Sequence, residues 1–139
     1  MFAVIGQKIQ VALNANSRFT ASDANNGNDK VFPVIVNQTT SYPATIYNIE
    51  DVSNFISKGN SLKSCNLVIR VACFADSYGT TYNQAQGVVE ALDLYSVTYT
   101  ESGESYTAKF NFSSLNDEYH NTAEVYYKDI FFNCLIIKN

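Results

Sequence analysis

At the amino terminus Phe2, Ile5, Ile9 and Leu13 recur at spacings of three and four, with Gln7, Lys8 and Gln10 between them. That period lines up one apolar stripe and predicts a helix from Phe2 to Leu13. Asn16 to Lys30 is rich in Asn, Ser, Asp and Gly and holds the turn-forming Asn25-Asn26-Gly27-Asn28-Asp29, so it reads as a surface loop long enough to meet a partner. Val31 to Val36 is a short apolar run broken by Pro33, which suits an edge strand. Pro43 opens a second extended run. Thr45 to Ser57 and Leu62 to Ala75 flank the turn Lys58-Gly59-Asn60-Ser61 and predict a hairpin. In its second arm Leu67, Ile69, Val71 and Cys73 face one way and Val68, Arg70, Ala72 and Phe74 the other, as in a central strand.

Asp76 and Ser77 are suitable helix caps, and beyond them Ala85, Val88, Val89 and Leu92 predict an amphipathic helix from Tyr82 to Leu92. Its polar side is expected to carry Asn83, Gln84, Gln86, Gly87 and Glu90, with Gly87 admitting close approach of another backbone. Val97 to Thr100 and Ser105 to Phe112 form a hairpin about Glu101-Ser102-Gly103-Glu104. Its second arm buries Tyr106, Ala108, Phe110 and Phe112 on one face. Asn116 to Asn121 reads as a polar connection. Val125 to Ile137 closes the chain as a long internal strand with Tyr126, Ile130, Phe132, Cys134 and Ile136 on one face. The order predicts an α+β fold, a mainly antiparallel sheet of about four to six strands with the amino-terminal helix and the central helix on one face.

Length and composition narrow the class. The 139 residues suit a single domain spanning 1–139, and 46% hydrophobic residues fit neither a disordered nor a membrane-spanning chain. A net charge of -4 removes the counterion release that drives gripping of nucleic acid. Cys65, Cys73 and Cys134 show no CxxC pair and no neighbouring His, so buried free thiols are expected, with one disulfide as the alternative. Met1 to Asn14 lacks the basic start and unbroken apolar run of a signal peptide, which points to folding in a cytoplasm. Ten tyrosines exceed what one small core hides, so they either rim the core or enter an interface.

Catalytic patterns are weak. Asp117, Glu118 and His120 are the one acid-base or metal-ligand grouping, and its spacing is not diagnostic. Glu101 and Glu104 at a hairpin tip read as solvated charges that discourage aggregation. The six glycines form neither GxGxxG nor a phosphate loop, and no serine sits in GxSxG. No cofactor and no metal are expected.

The run Phe74-Ala75-Asp76-Ser77-Tyr78, followed by a helix with Ala85, Val88, Val89 and Ala91-Leu92-Asp93, resembles the tail completion or tail terminator family of tailed bacteriophages and prophages. Val31-Phe32-Pro33, Pro43-Ala44-Thr45-Ile46-Tyr47 and the aromatic Tyr126-Tyr127-Lys128-Asp129-Ile130-Phe131-Phe132 follow in the order such proteins show. The chain departs from the pattern in Gly79-Thr80-Thr81, inserted before the helix, in Glu90, where basic residues are common, and in the length of the loop Asn16 to Lys30. The resemblance implies a non-enzymatic homo-oligomeric ring, usually a hexamer, that caps the tail tube at the neck and joins it to the head connector. It implies as partners the chain itself, the tail tube protein and a stopper or portal-proximal neck protein, with DNA as passing cargo and no membrane. The implied location is the virion, after synthesis in the bacterial host. An acidic chain suits a channel through which DNA slides without sticking. Ring contacts are expected at Asn25, Asn26 and Gly27 in the loop, at Gln84, Gly87 and Glu90 on the helix, and at Glu101, Gly103 and Glu104 in the hairpin tip. The alternatives are another neck ring between portal and tail, and a small intracellular enzyme or ligand-binding domain using Asp117, Glu118 and His120.

Overall fold

The computed structural model describes residues 3–22, 31–33, 43–56, 62–121 and 124–139. Among these residues, three helices, α1 (Ile5–Asn14), α2 (Ser17–Ser22) and α3 (Tyr78–Leu92), accompany six strands, β1 (Val31–Pro33), β2 (Ala44–Ile56), β3 (Leu62–Ala75), β4 (Ser96–Glu101), β5 (Glu104–His120) and β6 (Val125–Lys138). The strands form one sheet in the order β1-β2-β3-β6-β5-β4. β2 to β4 pair antiparallel, and β1 lies parallel to β2 at the edge. The fold is the expected α+β one, with β3 and β6 internal. Among the described residues the one parallel pair is at the edge, between β1 and β2.

β3 and β6 share an apolar row that faces the helices. Cys65, Leu67, Ile69, Val71 and Cys73 of β3 pair with Ile136, Cys134, Phe132, Ile130 and Lys128 of β6, and all are buried. Phe110, Ala108 and Tyr106 of β5 continue that face, with the half-buried Val97 and the buried Tyr99 of β4 beside them. Onto it α3 sets Ala85, Val88 and Leu92, and α1 sets Ile5, Ile9 and Leu13. Among the described residues no helix covers the opposite face, where Val68, Arg70, Phe74, Phe131 and Leu135 are only half-buried.

Several boundaries differ from the sequence reading. The loop from Asn16 onward contains α2, whose single large apolar side chain, Phe19, is fully buried. Asn16 starts this helix by accepting the Phe19 N–H on its side-chain oxygen at 2.9 Å. α3 begins at Tyr78, so Gly79-Thr80-Thr81 is its first turn and not an insertion before it. Ser77 holds the cap position without a side-chain capping bond, and the buried Thr81 hydroxyl donates instead to the Tyr78 carbonyl at 2.8 Å. β5 runs on to His120 through a bulge between Phe112 and Ser114, so Asn116 to His120 is strand and not a connection. At the far end of α3, Leu94 turns with φ 62 and donates its N–H to the Phe110 carbonyl, tying the helix exit to β5.

Gly87 meets its expectation of close approach. A Cβ there would stand 2.6 Å from the Phe19 backbone N and 2.7 Å from its Cα, so α2 rests directly on α3. Gly87→Ala gains roughly 1 kcal/mol of helix propensity but overpacks a backbone contact at a cost of about 1–3 kcal/mol. The variant is expected to unfold at lower urea than the parent. Gly79→Ala is expected to unfold at higher urea, because its added methyl meets only the Ser77 hydroxyl, at 3.8 Å.

All three cysteines are free and buried. Burial pushes the Cys73 thiol up from 9.0 to about 12, against smaller opposing effects of a Thr45 hydrogen bond and the Lys128 charge. Burial likewise raises Cys134 to about 12. Tyr99 is also raised, by burial and then by the Glu101 charge. The folded chain holds these protons to higher pH than the unfolded chain does. The stability they contribute is therefore complete below about pH 9 and is lost as pH rises toward 12. The urea midpoint should be lower at about pH 10 than at about pH 8, and iodoacetamide should modify the thiols only after unfolding. A pH-independent midpoint or ready modification of the native chain would contradict this burial.

Candidate functional site

The expected contact residues fall into three places. Asn25, Asn26 and Gly27 lie outside the described residues. Gln84 and Gly87 are not on an exposed helix face, which corrects that expectation: both are buried, because α3 is covered by the sheet on one side and by α2 on another. The Gln84 amide reaches the start of β2, donating to the Ala44 carbonyl at 3.4 Å, while its oxygen has no partner. Glu90 is exposed and pairs with Arg18 of α2 at 3.1 Å. With each side chain about half exposed, this pair contributes little to stability.

At the hairpin tip, Ser102 and Gly103 both have positive φ, 53 and 79, as a two-residue turn of the primed type requires. Glu101 is half-buried and accepts the Val4 N–H at 3.1 Å, so its carboxylate serves the uncapped start of α1. Glu104 faces Lys138 at 3.4 Å. The tip remains accessible at Ser102 and Gly103, but its two acids are engaged within the chain.

A denser group, which the sequence reading did not assemble, lies where β5 and β6 extend past β4. Lys128 is only 3% exposed and forms an ion pair with Asp117 of β5. Its ammonium also sits 4.5 Å from the centre of the Tyr78 ring at the start of α3. A buried ammonium is costly unless paired, and the carboxylate and the ring face together answer that cost. Tyr126 packs edge-on to Tyr78 at 5.8 Å and against Tyr119 at 4.7 Å. Tyr78, Tyr82 and Tyr119 remain about half exposed, so this end of the sheet presents tyrosine faces to the outside.

Asp117 and Glu118 are thus both occupied, Asp117 by Lys128 and Glu118 by the hydroxyl of Tyr127. They also point to opposite faces, because consecutive strand residues alternate. His120, two residues on, shares the face of Glu118 and is exposed. Among the described residues no group of three or more His, Cys, Asp or Glu is placed to hold a metal ion. No described helix is long and apolar enough to cross a membrane. The only signal for the Tyr78, Asp117 and Lys128 group lay in recognising Asn116 to His120 as strand, since Asp117 then falls opposite Lys128.

On the open face, Arg70 holds Asp129 through Nε at 2.9 Å and Nη2 at 2.6 Å, both on the one carboxylate oxygen Oδ1, a charged pair that ties β3 to β6. Phe74 stacks on Tyr127 beside it, with centroids 5.6 Å apart. This face is therefore mixed, with aromatic surface between polar groups.

No protein-family model matches the sequence, and no curated protein matches it. The fold is similar to that of a solved chain described as "Virion of native gene transfer agent (GTA) particle", with a TM-score of 0.76, 15% sequence identity and complete coverage of both chains.

Proposed function

We propose that this chain is a structural protein of a phage-like virion, and that copies of it form a ring at the junction of head and tail. The observation that carries the reading is the end-to-end similarity to a gene transfer agent virion chain, with neither chain left over. The order of motifs that resembles tail completion proteins supports the finer position. In this role the ring caps the tail tube and offers its other side to the head connector. No chemistry is required, and the paired states of Asp117 and Glu118 suit that.

The working parts follow from the geometry. A ring needs unlike surfaces that meet head to tail, with the rotation between copies closing on itself. The exposed tyrosines Tyr78, Tyr82 and Tyr119 combine apolar area with a polar tip, the composition of surfaces that are wet before assembly and buried after it. The acidic chain disfavours strong adhesion to DNA passing through the ring.

The reading is tested by adding the purified protein to growing tail tubes of its own virion and, separately, to the isolated portal complex. Growth should stop, and the protein should sediment with the tubes. Sedimentation with the portal complex alone would move the protein to an adaptor or stopper ring, and binding to neither would overturn the neck reading.

A further inference from the structure

The ring reading requires two unlike surfaces, and the sheet supplies two strand edges. β4 reaches only to the pair Ser96 and Lys109, so β5 continues beyond it, and among the described residues no strand lies outside Ser113 to His120. Asn116, Asp117, Glu118 and Tyr119 are exposed there. The usual devices that blunt an edge are few: this stretch has no Lys and no Pro, and its two acids are held down by Lys128 and Tyr127. The opposite edge is β1, which among the described residues pairs with β2 alone.

These two edges lie at one level of the sheet. Phe32 is opposite Ile46, Ile46 opposite Ala72, Ala72 opposite Asp129, and Asp129 opposite Asn116. The pairings also fix direction. β1 runs with β2, and three successive antiparallel pairings leave β5 running against both. A rotation about an axis along the strands carries β1 of one copy beside β5 of the next without reversing either, so the two meet antiparallel, the favourable sense for a short ladder.

We infer that β1 of one copy adds to the outer edge of β5 in the next, so that the sheet passes from subunit to subunit around the ring. This deepens the ring reading and rests on it. Pro33 removes one donor from β1, so the backbone ladder is short and the neighbouring side chains carry part of the contact.

The test pairs Phe32→Cys in turn with Ser114→Cys, Asn116→Cys and Glu118→Cys, three positions on one face of β5, followed by mild oxidation. The native cysteines are buried and do not compete. One pairing should give a reducible ladder of covalent multimers, while Phe32→Cys with Lys109→Cys, where the edge of β5 is already taken by β4, should give none. Hydrogen exchange on the unaltered protein gives a second reading: amides of Val31 and Phe32 and of residues 113–120 should exchange more slowly in the oligomer than in dilute monomer. Rings that neither crosslink at any of the three positions nor protect these segments would overturn strand addition and leave the ring reading standing. A strict monomer at every concentration would overturn both.

Discussion

The antiparallel pairing of β3 with β6 is the constraint on which the remaining structure depends. These are the two long strands with a full-length neighbour on either side, and they carry the apolar row from Cys65 and Ile136 through Ile69 and Phe132 to Val71 and Ile130. The helices have a surface to cover because that row is continuous. The next pair on that face, Cys73 with Lys128, places a charge under the first turn of α3, where Tyr78 and Asp117 meet it. On the reverse face the Arg70 and Asp129 ion pair ties the same two strands together at the same end.

Unequal strand lengths follow from this arrangement and shape what the molecule offers to others. β5 matches β6 along its length, whereas β4 ends where α3 hands over to it, at the turn of Leu94 and Tyr95. Half of β5 is therefore an edge, and the tyrosine-rich end of the sheet is presented beside it. The helices are stacked in turn: α2 lies on α3 through the Gly87 and Phe19 contact, and α1 closes over the core with its first turn fastened to Glu101. One face of the sheet is thus dry, and the other is mixed and, among the described residues, uncovered by any helix.

Much of this was legible in the sequence because the signals were periodic. The alternation in Leu62 to Ala75 and Val125 to Ile137 defined two internal strands, and Ala85, Val88 and Leu92 defined the buried stripe of α3. Three features were not legible, each for a physical reason. A helix of six residues shows no period, so α2 was hidden in a polar stretch and only Phe19 hinted at it. Without α2, periodicity alone puts Gln84 and Gly87 on the polar side of a helix that is in fact covered twice. Polar composition also disguised the distal part of β5, because an edge strand half in solvent carries Asn, Asp and Glu where an internal strand carries Val and Ile.

The most direct test of the central claim is the native mass of the purified protein over a concentration series, with negative-stain images of the same fractions. The account predicts closed rings of a single subunit number, with the monomer dominant only on dilution. A protein that stays monomeric throughout, or that grows into open filaments without closing, would contradict it.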